Sequence, residues 1–471
     1  MNNVARISAL AFGIAGALAF GQAHAAAFQL KENSAKGLGR AFAGSISAPG
    51  DASVVFTNPA AMRGLDGTQI QADLSVISFG ADFDGNGSYA TGAPISGGNG
   101  GDAGDVVPVP AAYFHLPIGE KQHFGVSLTA PYGFTTEYDK DWKGRYNGTK
   151  TDLKAIDLAF AYSYDVNPYV SFGANVFVER LDIELANAMD FGTIISAAGQ
   201  QQAAAAALQA GATPAQAAAA AQQAAIALAQ QGFAPGTQDG YLSIEGDDTA
   251  VGFTLGGLFS ISDKTHIGVS YRSKVEHKIT NGKADYTVPA AAAAVLGASR
   301  PGWFVDADGR ATVTLPASAT ISFTHQASDK WTVMADLSRT AWKPAFNQVV
   351  IDYASAQDDS VLEFGYDDTT FASLGAEYRY SDKLTFRGGV AYDETPTSYA
   401  HRDVRVPDVN RKWLSLGLTW NSSEKTEWNV GYTHLFTNDA HINTTSATAN
   451  TLFGAYDVKG DILAASVNYK F

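Results

Sequence analysis

In the closing stretch Asp461-Ile-Leu-Ala-Ala-Ser-Val-Asn-Tyr-Lys-Phe471, Leu463, Ala465, Val467, Tyr469 and Phe471 fall at every second position, with Ser466, Asn468 and Lys470 between them. Successive side chains of a β-strand point to opposite faces, so this is a strand with one apolar and one polar side. An apolar strand left at a free edge is a template for pairing with other chains. A barrel removes the edge by pairing its last strand with its first.

The remainder of the chain repeats the pattern. Val170, Phe172, Ala174, Val176 and Val178 alternate with Ser171, Gly173 and Asn175; Leu414, Leu416, Leu418 and Trp420 alternate with Ser415, Gly417 and Thr419. Short turns built from turn formers and charge occur at Gly119–Gln122, Asp165–Pro168, Ser262–Thr265, Ser328–Lys330, Ser381–Lys383 and Asn421–Lys425. Between them lie longer polar connections, roughly 84–106, 136–152, 186–240, 282–309, 343–365, 396–410 and 441–453. Short turns alternating with long loops predict an all-β, antiparallel transmembrane barrel of about 14 strands. Tyr113, Phe114, Tyr162, Tyr164, Tyr378, Tyr380, Trp413, Trp420 and Trp428 are expected at its interfacial girdles.

Composition agrees with a barrel. A mean hydropathy of -0.07 is far from that of a helical membrane protein, but alternation hides a barrel's apolar face from any average. The absence of Cys excludes disulfides and thiolate metal sites, and a net charge of -15 argues against nucleic acid as partner. A start at Arg6, an apolar run from Ile7 to about Phe20 and the end Ala23-His-Ala25 read as a cleaved secretory signal, residues 1–25, with Ala26 first in the mature chain. An exported chain with no later long apolar run spans a membrane with strands.

Two segments depart from the β rhythm. From Ser196 to Gln231 the chain is nearly all Ala and Gln, divided at Gly211 and Pro214. This reads as a helical hairpin within the third long loop, with Thr213 and Pro214 opening its second helix; a low-complexity linker is the alternative. Residues 26–67 precede the first strand, Thr68–Gly80, and are rich in small residues. A barrel of about 14 strands is too wide for its lining side chains to fill, so this segment is expected to fold into the lumen as a plug. The barrel then occupies 68–471.

The plug segment also carries a family likeness. Ala26-Ala-Phe-Gln-Leu30, Asn33 to Gly44, Asp51 and Asn58-Pro-Ala60 resemble the FadL family of outer-membrane transporters of long-chain fatty acids and other hydrophobic compounds. The likeness continues in Leu128 to Tyr138, Ile267 to Val275, Leu384 to Asp393 and Val406-Pro-Asp408 with Arg411 and Trp413. The resemblance implies a plugged barrel in the bacterial outer membrane, among lipid and lipopolysaccharide, acting as a monomer without cofactor or catalysis. It implies that Phe28 lies beside a ligand pocket, that Asn58, Pro59 and Ala60 form the hatch motif, and that Ala130, Pro131 and Gly133 lie on a kinked strand beside an opening in the wall. Pro131 cannot donate a ladder hydrogen bond, which supplies a physical cause for a kink.

The departures bear on cargo. The family holds a fatty-acid carboxylate with Arg, Lys and Asp. Asp393 matches the acidic member, but the basic positions fall on or near Leu185 and Leu362, which leaves Arg180, a few residues away, as the expected cation. Without one, a neutral aromatic hydrocarbon is the alternative cargo, and a general porin a further one. No nucleophile elbow, phosphate loop or His-Glu-x-x-His motif is present. The acidic pairs Asp247-Asp248, Asp358-Asp359 and Asp367-Asp368 are expected in or beside loops as solvated charge.

Overall fold

The computed structural model describes residues 27–471, so the expected signal and Ala26 lie outside the described residues. Fourteen antiparallel strands form one closed sheet: nineteen ladder segments, with five strands each interrupted once. In chain order they are β1 (Gln69–Ser88), β2 (Val106–Ile118), β3 (Gln122–Glu137), β4 (Lys150–Asn167), β5 (Val170–Asp190) and β6 (Asp239–Ser262). Next come β7 (Thr265–Arg272 and Val275–Thr287), β8 (Ala307–Leu315 and Ser318–Gln326), β9 (Trp331–Thr340 and Gln348–Tyr353) and β10 (Ser360–Glu363 and Thr369–Arg379). The last four are β11 (Leu384–Asp393), β12 (Arg411–Ser423), β13 (Thr426–Phe436 and Ala440–Thr445) and β14 (Thr451–Lys470). The closing strand does what its alternation required: β14 pairs with β1 from Gln69↔Lys470 to Ser88↔Thr451.

The two faces of the sheet meet different solvents. On β14, Leu463 is 55% exposed while Ile462 and Ala464 are buried. Outward Phe160, Val176, Phe253, Leu416 and Val430 continue an apolar belt around the ring, which costs nothing when acyl chains cover it. Tyr164, Trp331, Tyr380 and the facing pair Trp420 and Trp428 lie outward near the short-turn ends. Tyr113 and Trp413, expected in the girdle, face the opposite way. Both are buried in the lumen, where the Tyr113 hydroxyl donates to the Asn33 carbonyl at 2.6 Å and Trp413 packs edge-on against Phe42.

Residues 27–65 lie against the inward faces of the strands. A short helix, α1 (Ala35–Leu38), is capped by Ser34, and a second, α2 (Val54–Thr57), leads into a 3-10 turn at Pro59–Gly64 capped by Asn58. Docking is by close backbone approach and by charge. A Cβ at Gly39 would lie 2.8 Å from the Gly417 Cα. Lys36 pairs with Glu427 at 2.6 Å, Arg40 with Glu377 at 2.8 Å, and Gly44 N–H donates to Asp336 at 2.6 Å. Among the long connections, the Ala/Gln-rich insertion forms helices α3 (Phe191–Gln209) and α4 (Pro214–Gln230), the second opened by a reciprocal Thr213–Gln216 capping box.

Candidate functional site

The site forms where β3 leaves its neighbour. The β2–β3 ladder runs from Ile118↔Gln122 to Ala112↔Leu128 and stops. Above it, Val106 to Ala111 keep their β1 partners and have no β3 partner among the described residues. On its other side β3 slips against β4 between Thr129 and Tyr132, so Ala130 and Pro131 are bulged out of register. From Pro131 to Thr136 every residue of β3 is buried, because this half of the strand leans into the lumen.

The edge that β2 vacates is taken by the amino-terminal segment. Leu30 N–H donates to the Pro131 carbonyl at 2.8 Å, Gly133 N–H donates to the Phe28 carbonyl at 2.9 Å, and Gln29 bridges to Tyr132. Phe28 to Leu30 thus add to β3 as a short strand. This satisfies backbone groups that burial would otherwise orphan.

The addition fixes the Phe28 ring. It is 2% exposed, with ring centres 4.7 Å from Trp342, 4.9 Å from Phe346, 6.3 Å from Tyr132 and 6.4 Å from Tyr366. Beside it lies an apolar pocket of about 30 Å³, walled by Phe134, Leu153, Ile183, Phe346, Val349 and Phe364. A second pocket of about 40 Å³ shares Ile183, Leu185 and Val349 with it and extends to Ile244, Ile279 and Ile351. Each has room for about one or two waters, far less than an alkyl chain occupies.

The positions read from the sequence can now be placed. Leu185 and Leu362 both line the first pocket, so these departures from a basic pair enlarge its apolar wall. Arg180, the expected cation, faces outward; its side chain is 53% exposed and paired with Asp182 at 2.9 Å and Asp247 at 3.3 Å. Alternation explains the correction: Leu181 turns inward and is buried, so its neighbour cannot reach the lumen. Asp393 is buried and bound to Arg411 at 3.1 Å, and it does not line the pocket. Arg411 also holds Asp408, whose other oxygen accepts the Ala27 N–H at 3.0 Å. Asp393 thus supports the anchor of the amino-terminal segment.

Asn58, Pro59 and Ala60 sit lower, on a saddle of wall glycines. The Asn58 side-chain oxygen caps Ala60 N–H at 3.2 Å, and its amide donates to the carbonyls of Ile46 at 2.8 Å and Gly257 at 3.2 Å. A Cβ at Gly256 would overlap Asn58 and one at Gly173 would meet Pro59 and Ala60. Between this saddle and the apolar pockets lies a cavity of about 110 Å³ with a mixed wall, where Lys31, Arg272 and Asp336 stand beside Leu30, Phe42 and Phe56.

Most of the pocket wall, including Leu153, Ile183, Phe346, Val349 and Phe364, carries no signal in the sequence beyond strand alternation. Arg405, in the inward-folded connection 394–410, lines the first pocket. Only its position next to Val406-Pro-Asp408 could have drawn notice.

The family described as outer membrane protein transport protein (OMPP1/FadL/TodX) matches residues 16–471. The chain is 30% identical to outer membrane protein P1 of Haemophilus influenzae over 476 residues, covering 95% of each. It is 28% identical to the long-chain fatty acid transport protein of Escherichia coli over 446 residues, covering 92% of this chain and 93% of that one. Among solved structures, a Pseudomonas aeruginosa FadL homologue superposes with a TM-score of 0.81 at 24% identity, covering 94% of this chain and 99% of that chain. The Pseudomonas putida toluene transporter TodX gives 0.61 at 17% identity, covering 95% and 100%.

Proposed function

We propose, on the premise that this chain belongs to the OMPP1/FadL/TodX family of outer-membrane transport proteins, that it carries long-chain fatty acids or similar hydrophobic molecules into the cell by passive diffusion. Apolar cargo leaves water for the pockets beside Phe28, driven by burial of its chain. Its onward path runs sideways, between β2 and β3. The amino-terminal segment is the gate, because Phe28 to Leu30 occupy the β3 edge that an open passage needs free.

The observation that carries this reading is the interrupted β2–β3 ladder beside an apolar pocket, capped by the amino-terminal segment. A route straight down is disfavoured on physical grounds. It would take an apolar chain past the charged groups of the lower cavity and the ion pairs that dock residues 27–65. The plug role of that segment, with Asn58, Pro59 and Ala60 as its lower seat, belongs to the same proposal. One chain closes the barrel and holds every part of the site, which supports action as a monomer. The exposed charges of Arg180, Asp182 and Asp247, above the apolar belt, suit contact with lipopolysaccharide head groups.

A second reading has its own support. Leu185 and Leu362 make the pocket wall apolar where a carboxylate clamp is expected, which suits a neutral aromatic hydrocarbon. Uptake of labelled oleate and labelled toluene, side by side in cells lacking their own carrier, separates the two. Oleate uptake above the empty-vector control supports the main reading, and toluene uptake alone supports the second. Large, steady ion conductance of the purified protein in a planar bilayer would refute both in favour of an open porin.

A further inference from the structure

We propose that the seam between β6 and β7 is a side entrance, through which a long-chain amphiphile held at the head-group level of the outer leaflet slides its chain into the second apolar pocket. The proposal rests on the hydrophobic-transport reading and adds the way in, on a different arc of the wall from the β2–β3 opening.

The β6–β7 ladder climbs from Ser262↔Thr265 to Thr254↔Arg272 and resumes only at Glu245↔Lys283. Between these points Gly246 to Phe253 and Ser273 to Gly282 form no ladder pair with each other. A main-chain bond from Ser273 N–H to the Phe253 carbonyl, at 2.9 Å, closes the lower end. Each strand keeps its other neighbour: Gly246 to Phe253 pair with β5, and Val275 to Ile279 pair with β8.

Side chains stitch the seam instead. The Asp248 carboxylate accepts the Lys278 N–H at 3.1 Å and meets His277 at 3.2 Å, and the Asn281 amide donates to Asp247 at 3.1 Å. The inner lip is glycine: a Cβ at Gly246 would lie 2.5 Å from the Ile279 side chain and 3.2 Å from the Gly282 Cα. Gly246, Ile279 and Gly282 also line the second pocket, beside Ile183 and Leu185. The seam is thus shut by contact and by side chains, directly against an apolar cavity. Parting a regular ladder would orphan a row of backbone groups, whereas parting this one breaks few bonds.

The seam lies where the outer face changes character. At its foot the exposed Val251, Phe253 and Tyr271 belong to the apolar belt; beside its upper half stand Asp247, Glu276 and Lys278. A head group rests among these charges while its chain lies against the belt. Backbone groups without a ladder partner are tolerated where water reaches them, as it does at this level.

Entry from above is obstructed. Helix α5 (Ala290–Ser299) packs on α3 through buried Ala292, Leu296, Phe191 and Ile195. Met189 and Tyr286 join this cluster to the apolar core around the pocket. Cargo arriving between the loops has to part that cluster, and cargo arriving from the side has to displace only the stitch.

The chain has no Cys, so the seam can be locked selectively. Asp247→Cys with Asn281→Cys places sulfurs at two side chains that already touch, and oxidation joins them across the seam. In lipid nanodiscs the joined form is expected to bind labelled oleate about tenfold or more slowly than its reduced form, with equilibrium affinity within about twofold, because a locked entrance slows passage and leaves the pocket unchanged. Leu255→Cys with Tyr271→Cys, a pair within the bonded ladder, is the control and should slow nothing. Asp247→Ala with Asn281→Ala removes this stitch and should speed binding several-fold; it needs no new bond, so it serves even where the sulfurs fail to join. Heat-modifiable gel mobility checks that each variant is folded. Equal rates in the joined and reduced forms, equal slowing by the control, an affinity loss as large as the loss in rate, or no gain in rate without the stitch would overturn the side entrance and leave hydrophobic transport standing. Wild-type protein that binds no oleate would overturn fatty-acid transport together with this proposal.

Discussion

Truncating Phe28 to Ala separates two roles that the ring could have. In the structure the ring stands where cargo would, in a pocket system whose two parts of about 30 and 40 Å³ cannot take an alkyl chain unaided. Cargo binding therefore includes displacement of the ring from Trp342, Phe346, Tyr132 and Tyr366. A buried Phe→Ala change costs about 3–5 kcal/mol, a range that includes the lost aromatic contacts. That cost falls on the seated state, because a displaced ring has already given up those contacts. At about 1.4 kcal/mol per tenfold, the lower end of the range corresponds to about a hundredfold easier displacement. Part of this is lost because the shortened residue leaves a cavity that relaxes, so we expect oleate to bind Phe28→Ala at least about tenfold more tightly. The gate itself should stay shut in this variant, since the bonds to Pro131 and Gly133 come from backbone atoms at positions 28 and 30. The assay is equilibrium binding of labelled oleate to purified, folded barrel. Unchanged or weaker binding would refute the reasoning and make Phe28 a wall that cargo rests against.

Four further outcomes follow from the same geometry. Gly417→Ala places a methyl 2.7 Å from the Gly39 Cα, so residues 27–65 should lose their seat and ion conductance in a planar bilayer should rise; an unchanged current would mean the segment shifts without leaving. Glu377→Gln removes the carboxylate shared by Arg40 at 2.8 Å and Arg387 at 2.7 Å, and stranding two buried cations should cost about 3–5 kcal/mol, read as a lower thermal midpoint or easier proteolysis of the amino-terminal segment. Pro131→Ala restores a backbone donor at the bulge and should slow oleate uptake several-fold; uptake at the wild-type rate would remove the β2–β3 opening from the pathway. Arg180→Ala should leave uptake as it is, since the side chain faces outward, and a clear loss would return Arg180 to the cargo path.

The barrel was legible because its signal is local. Alternation along β14, β5 and β12 needs only neighbouring residues, and turn formers at Ser262–Thr265 or Ser381–Lys383 mark strand ends without tertiary help. Aromatic residues were harder: Tyr113 and Trp413 have the composition of girdle residues, but one step of register decides between lipid and lumen, and both turn inward against residues 33 and 42. Arg180 failed for the same reason, at a position where a shift of one residue would have carried it to the inner face.

The residues alone determined that this chain makes a closed sheet of alternating strands, short turns at one end and long loops at the other, with a small-residue segment ahead of the first strand. Each of these follows from the two-residue period of a strand and from the need to pair every backbone group in a membrane. Folding decided what shares the lumen. Phe28 reaches Trp342 and Phe346, Asp408 reaches Ala27, and Arg405 reaches a pocket walled from β3, β4, β5 and β9, across separations of hundreds of residues. No periodicity records such meetings, because they are set by where the strands close and where β3 parts from β2.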